Sequence, residues 1–352
     1  MQKRIYLIAA GLGSLLAPAY SGNPDRAGQA GAGELLINPW ARSSGWAGAN
    51  AASVRGLEAS YLNIAGTAFT KKTEILFSQT NWLQGSGIRI NSFGLTQRVG
   101  EESVIGGAIS SMGFGEIPVT TTDLPEGGIG TFSPQFMNMS LFYSKAFSNS
   151  IYGGINFKTI YESIYNVNAL GVGVDAGIQY VTGIGLNKEG KKNTDNLKFG
   201  ISLKNVGPPI RYHGDGFAKS MPNTTSFNEF STTMEQRSER FELPSLVNVG
   251  GAYDYKISDI HRLTAALNFT SNSFTNNQYQ FGVEYGFKTY LMVRAGYLYE
   301  PDRSTVLTGP AGGVSFEFPL GKLSERTFAV DYSFRATEAF GGVHSIGARI
   351  NL

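Results

Sequence analysis

The sequence predicts an all-β fold: a 14-stranded antiparallel transmembrane β-barrel with an N-terminal plug segment. Three observations lead there. The first is the alternation between residues 245 and 299. Val247, Val249, Tyr253 and Tyr255 alternate with Asn248, Gly250, Ala252 and Asp254. After a turn at Ser258-Asp259, Leu263, Leu267 and Phe269 alternate with Arg262, Thr264 and Asn268, and the stretches 277–287 and 289–299 repeat the pattern. Successive side chains on a strand point to opposite faces, so each stretch has one apolar and one mostly polar face. The second is length: each stretch holds about ten residues, enough to cross a bilayer at a tilt. A soluble sandwich also alternates, but it rarely keeps one length and one aromatic face over consecutive hairpins. The third is composition. The chain is 352 residues long and 41% hydrophobic, yet no run approaches the roughly 20 apolar residues of a helical span. A barrel reconciles these, because half of every strand faces its interior.

Taken in order, residues 1–19 read as a secretory signal, with Lys3-Arg4, an apolar Ile5 to Leu16 and an Ala17-Pro18-Ala19 cleavage site. The mature chain then begins near Tyr20. No cysteine follows, so neither a lipid anchor nor a disulfide framework is expected. Residues 20–70 are rich in Gly, Ala, Ser and Asn, with Trp40, Trp46 and Tyr61 as bulky members. A disordered tail is the competing reading. The apolar pieces Leu35-Leu36-Ile37 and Tyr61 to Ile64 argue for a plug inside the barrel or across its periplasmic mouth, with Trp40, Arg42, Trp46, Asn63 and Ile64 as its nominated residues.

From residue 71 to 352 the barrel is expected as 73–83, 88–98, 103–112, 135–147, 150–161, 170–182, 196–206, 245–256, 260–270, 277–287, 289–299, 311–319, 326–335 and 343–352. An even number lets the hairpins close without an exposed edge. The alternation breaks near Asn91-Ser92-Phe93, where a bulge is expected. Short connections fall at one end and the long ones, 113–134 and 207–244, at the other, which is the periplasmic and external asymmetry of outer-membrane barrels. Tyr143, Tyr180, Tyr255 and Phe287 fall at the short-turn end and Tyr297 and Tyr299 at the other, as interfacial girdles do.

Little points to catalysis. The three histidines lie far apart, without metal-ligand spacing. Gly185 to Lys191 has phosphate-loop spacing, but Lys192 stands where Ser or Thr is needed and a strand follows, so a solvated turn is the better reading. No enzyme activity, cofactor or metal is expected. The net charge of +2 gives no basic footprint for nucleic acid. Interior charges of both signs, among them Lys158, Asp175, Lys198, Asp254, Glu284 and Arg294, suggest a paired network rather than a one-sign selective ring. The loop 207–244 carries Phe217, Met221, Phe227, Phe230 and Met234, and 113–134 carries Phe114, Leu124 and Phe132. Exposed Met and Phe suit an adaptable protein-binding surface, and a lid over the mouth is the alternative.

The run Glu34 to Asn50, the segment Tyr61-Leu62-Asn63-Ile64-Ala65-Gly66 and the stretch from Asp331-Tyr332-Ser333-Phe334 to His344 together resemble the PorV/PorQ family, outer-membrane proteins of Bacteroidetes related to the FadL-like barrels. Ile64 replaces the proline of the family's Asn-Pro-Ala-Gly segment. The resemblance implies an integral outer-membrane protein seated in lipid. It also implies an accessory role in type IX secretion, with the translocon barrel or the C-terminal domain of a cargo protein as partner. The alternatives are an accessory barrel of another outer-membrane complex, and a FadL-like conduit for a hydrophobic small molecule. A conduit requires an apolar pocket near the outer mouth. The interior strand faces, mostly Gly, Ser, Thr, Asn and charge, weigh against one.

Overall fold

The structure, a computed structural model, describes residues 26–186, 190–225, 228–301, 306–321, 326–338 and 340–352. The leader at 1–19 and part of the 185–192 turn therefore lie outside the described residues. Fourteen long strands form one closed meander: β1 Thr73–Trp82, β2 Ile88–Val99, β3 Ser103–Gly113, β4 Gln135–Ala146, β5 Ile151–Ile164, β6 Val167–Thr182, β7 Leu197–Val206, β8 Leu246–Lys256, β9 His261–Asn272, β10 Gln278–Phe287, β11 Leu291–Tyr299, β12 Gly309–Pro319, β13 Thr327–Arg335 and β14 Val343–Asn351. Each pairs antiparallel with its sequence neighbours, and β1 pairs with β14 to close the ring. Each agrees with its expected span to within three residues.

Alternation sets which side chains point where. On β8 Asn248, Ala252 and Asp254 are buried inside, while Val249, Tyr253 and Tyr255 are exposed outside. On β10 Gln280 and Glu284 point in, and Phe281, Val283 and Tyr285 point out. The outer surface is thereby an apolar belt that needs lipid to cover it.

The bulge expected at Asn91-Ser92-Phe93 is absent. The β1–β2 register runs unbroken through Ser78↔Ser92 and Phe77↔Phe93. The pattern inverts there for another reason: towards the long-loop end Ile90 turns inward onto an apolar cluster, and Arg89 and Asn91 turn outward. The one irregularity among the wall pairings lies instead between β6 and β7.

Residues 26–70 thread the lumen. They enter at the long-loop end, where Arg26 pairs with Glu242 at 2.6 Å. They reach the short-turn end where Arg98 donates to the carbonyls of Ala68, Thr70 and Lys71. Glycines on the wall admit this chain. A Cβ on Gly282 would meet the Trp46 ring, one on Gly296 the Trp46 carbonyl, and one on Gly177 the Asn63 amide. The 207–244 connection, read as a loop, carries structure of its own: Ile210–His213, a hairpin of Ala218–Thr225 with Asn228–Glu235, and Arg240–Phe241.

The in-out assignment is directly testable. Replacing Phe281, outward on the belt, with Arg should cost about 2–4 kcal/mol of barrel stability near the bilayer midplane. Phe281→Leu should cost far less. Equal yields of folded, heat-modifiable barrel from the two variants would refute the outward placement.

Candidate functional site

The interior is built from the plug upward. Asn63 accepts from the Ala65 amide at 3.2 Å, capping the 3₁₀ turn Ile64–Phe69. Its amide nitrogen donates to the β6 carbonyl of Ile178 at 3.1 Å. Ile64 occupies the first position of that turn, where proline is well tolerated, and packs with Trp40, Leu57, Leu76 and Phe142. The Trp40 ring nitrogen donates to Ser60 at 3.3 Å. Trp46 packs with Ala49, Ala52, Ala252 and Ala266. Arg42 reaches the Met292 sulfur at 3.5 Å, a weak acceptor.

Charged side chains on the wall pair with each other and with the plug. Arg294 and Arg262 both meet Glu284, at 3.0 and 3.1 Å. Lys198 meets Asp254 at 2.6 Å and Lys158 meets Asp175 at 2.8 Å. Arg349 bridges Glu317 on the wall and Glu58 on the plug, each at 3.3 Å. A buried charge must be paired, and removing one partner is strongly destabilising, so these contacts fix the register of plug and barrel. Cavities beside the plug measure about 70, 90 and 130 Å³.

Apolar material is concentrated at the long-loop end. Trp82, Ile90, Met112 and Val343 are buried together there, with Ile37, Phe114 and Phe136 packed against them. These residues belong to the strand ends and to the threaded segment, so the polar interior of the mid-strand faces did not reveal them. The signal was present in Trp82, Ile90 and Met112, apolar residues at inward-facing positions near strand ends.

A second apolar cluster backs a seam in the wall. At Lys204-Asn205 β7 holds one residue more than β6, opposite Asp175. Asn205 takes the left-handed conformation, φ 60°, which Asn adopts more readily than most residues. Its backbone amide donates to Asp175 at 2.8 Å, its side-chain nitrogen donates to the Pro244 carbonyl at 2.9 Å, and its side-chain oxygen accepts from Lys158 at 2.6 Å. Beyond Val206 the chain continues as Gly207-Pro208-Pro209, and prolines have no N–H to extend a ladder. The ladder on that edge of β6 stops at Val174 and resumes only at Ala169, opposite Tyr212. Inside the gap lie Ile210 and Leu243, packed with Ile160 and with Ala32 and Leu35 of the threaded segment. Gly171 and Gly207 leave no room for a side chain there: a Cβ would strike Ile210 in one case and the Val172 carbonyl in the other. Outside, the apolar face around the seam is concave. A groove of about 740 Å³ runs across Phe93, Ile109, Leu141, Phe157 and Val172 and ends at Gly207-Pro208.

The nominated loop residues have different surroundings. Phe114 stacks edge-on against Phe136 at 4.8 Å and joins the mouth cluster. Phe132 meets Tyr165 at 5.8 Å. Leu124, Met221 and Met234 are exposed, and Phe217 is half-buried in the short turn Asp215–Phe217. Phe227 lies outside the described residues. Phe230 falls on the strand Asn228–Glu235, across from Asn223. Among the described residues no group of three or more His, Cys, Asp or Glu could hold a metal ion.

In solved structures the same architecture recurs. The chain is similar to the Pseudomonas putida toluene transporter TodX, with a TM-score of 0.55, 12% identity, and 88% of this chain and 96% of that one covered. It is similar to the Ralstonia pickettii toluene transporter TbuX, with a TM-score of 0.52, 12% identity, and 88% and 96% covered. It is also similar to a Pseudomonas aeruginosa FadL homologue, with a TM-score of 0.50, 13% identity, and 89% and 97% covered. No protein-family model matches the chain, and no curated protein does. The fold is therefore a closed 14-strand antiparallel barrel of FadL-like architecture.

Beside the seam, Glu34 of the threaded segment lies against Glu162 of β5. Burial first, and the neighbouring Glu162 carboxyl second, push the Glu34 carboxyl up to about 7. Its neutral form is therefore favoured in place, and docking of 33–37 is strongest below the ordinary carboxylate range and weakens as pH rises through about 7. Amide exchange at residues 33–37 should lose protection between about pH 4.5 and 7, and no further above that, beyond the intrinsic pH effect. In Glu34→Gln that excess loss should vanish. The same excess in both proteins would rule out Glu34 as its source.

Proposed function

We propose that this chain is a non-enzymatic outer-membrane barrel that admits a hydrophobic small molecule at its long-loop mouth and releases it sideways through the wall. The observation that carries this reading is the seam between β6 and β7. It combines an interrupted ladder, an apolar cluster behind it and an apolar groove in front of it. The apolar cluster at the mouth supplies an entry surface of the kind a conduit needs. The plug blocks a straight polar path, so a lateral exit into lipid is the shorter way out for an apolar solute. The likeness in fold to two toluene transporters supports the same class of cargo. The leader-like first 19 residues and the apolar belt support the outer membrane as the location.

The test is a lock across the seam. The chain has no cysteine, so Val174→Cys with Val206→Cys gives a single reducible pair on directly opposed residues at the edge of the gap. Oxidised protein should take up toluene at less than about a tenth of the reduced rate while remaining heat-modifiable, since a closed disulfide holds the two backbones together. Equal uptake in both states would sink the lateral exit.

A second reading, docking of a protein partner in the manner of a PorV-like type IX component, is supported by the hairpin Ala218–Thr225 and Asn228–Glu235. It forms a separate two-stranded sheet, with Met221 and Met234 exposed. Met221→Ser with Met234→Ser should then abolish co-purification of that partner from native membranes without altering toluene uptake. Unchanged co-purification would count against the hairpin as the docking element.

A further inference from the structure

On β9–β11 the outward rows at the long-loop end are aromatic. Phe269, Tyr279 and Tyr299 lie side by side, with Phe281 beside Tyr297 in the next row. On β14 and β1–β4 the corresponding rows are polar. The register places His344, Asn81, Arg89, Gly113 and Gln135 side by side in the row nearest the loops. Gln79, Asn91 and Ser111 stand side by side in the row below. One row further down, Phe77, Phe93, Ile109 and Met139 are in line and the surface is apolar again. Gln79, Asn81, Arg89, Asn91 and Gln135 are exposed. The wall is thus inverted here, because Trp82, Ile90 and Met112 are buried behind the polar rows.

Polar side chains turned towards hydrocarbon without partners are costly, so these rows need a polar cover. Gln135 donates to Ser111 at 3.2 Å, and His344 is joined to the Tyr332 hydroxyl at 2.9 Å. The side chains of Gln79, Asn81, Arg89 and Asn91 have no hydrogen-bond or ion-pair partner among the described residues. Arg89 carries the one permanent charge in the two rows, and its planar fork fits phosphate oxygens. Asn81 is directly opposite it, and the Gln79–Asn91 pair lies two residues on, about 7 Å away. Each carboxamide offers both donors and an acceptor, the set that sugar hydroxyls match. Phe93, Ile109 and Met139, in the row directly below, also line the groove of about 740 Å³. A charged, amide-rich surface that runs into an apolar groove is the complement of an amphiphile with a polar anionic head.

We propose that this face binds a phosphorylated glycolipid from the leaflet at the long-loop end. Its phosphate sits on Arg89, its sugar hydroxyls meet Asn81, Gln79 and Asn91, and an acyl chain lies in the groove. An ordinary glycerophospholipid would use Arg89 but leave most of the carboxamides without hydroxyl partners. The site does not depend on lateral release, since it needs only the outward rows and the groove. A chain bound there would cover the outer side of the seam, and a solute leaving through the seam would displace it.

Native mass spectrometry of the purified barrel in non-ionic detergent, titrated with diphosphoryl lipid A, phosphatidylglycerol or glucose 1-phosphate, tests it. Lipid A should bind tightest, phosphatidylglycerol about tenfold or more weaker, and glucose 1-phosphate, which has no acyl chain, weakest. Arg89→Gln should weaken lipid A by about tenfold or more, the scale of a charge-assisted hydrogen bond. Arg240→Gln removes an exposed arginine of the 207–244 connection and should leave binding unchanged. Asn81→Leu with Asn91→Leu should erase the preference for lipid A over phosphatidylglycerol. Heat-modifiability verifies that each variant is folded. Equal binding of the two lipids to the unmodified barrel overturns the glycolipid assignment, and so does a preference that survives the Asn double substitution. Lipid A binding that is unaffected by Arg89→Gln, or weakened as much by Arg240→Gln, overturns the patch as the site. Glucose 1-phosphate binding as tightly as lipid A overturns the role of the groove.

Discussion

The fit between the threaded segment and the inner wall is the constraint on which the rest of this barrel depends. A ring of 14 strands encloses more space than its own side chains fill. Here that space is taken by residues 26–70, which approach the wall closely at several strand glycines. Gly282 and Gly296 accept Trp46, Gly313 accepts Gly45, and Gly200 accepts Ala52. Small residues on both partners bring polypeptide backbones close, and polar groups in that dry contact must then find partners. Asn63 and Gln179 satisfy carbonyls across the boundary, and Ser202 donates to the Leu62 carbonyl at 2.8 Å. The high glycine content has this as one physical reason, alongside wall curvature.

Charge then makes the fit specific. Apolar packing alone would let a Gly- and Ala-rich segment slide. Arg349, tied to Glu58 on the plug and Glu317 on the wall, does not permit that. Shifting the plug by one residue would strand buried charges, at a cost of several kcal/mol for each broken pair. The network is concentrated on β7–β14, around Lys198, Asp254, Glu284, Arg294 and Arg349. The opposite wall, β3–β6, has fewer ion pairs, and a cavity of about 70 Å³ lies between it and the plug.

Strand positions and facing were legible in the sequence because a period of two is a strong signal wherever the outside is apolar and the inside polar, as on β8–β11. The signal weakened where that contrast reverses. Near the mouth, Ile90 and Met112 are apolar and inward, and Asn91 is polar and outward, so the break in pattern looked like a bulge. The true bulge at Lys204-Asn205 was hidden because both residues are polar, on a strand where inward polar residues are expected. It depends on a long-range pairing, Asn205 with Asp175 and with the Pro244 carbonyl. No local pattern encodes such a pairing. Pro208-Pro209 marks a connection locally, but its structural consequence, the interruption of a ladder, involves a distant strand edge.

The seam and the threaded segment are one device. A gap in a barrel wall leaves backbone groups of β6 without ladder partners in a medium that offers none, which is tolerable only where protein covers them. The cover here is Ile210 and Leu243 from the long connection, and Ala32 and Leu35 from the threaded segment. The two sources are joined by the Ala30–Glu242 bridge, the Gly31 to Glu242 backbone bond at 3.0 Å and the Arg26–Glu242 ion pair. Any displacement of residues 26–36 therefore loosens the cover of the seam, without disturbing the Arg349 and Glu284 contacts that hold the lower plug. The two ends of the threaded segment are thus held differently: residues 26–36 by apolar packing and by Glu242, the lower plug by buried ion pairs. Lateral release, as proposed above, would require the first set of contacts to open while the second keeps the barrel and the rest of its plug in register.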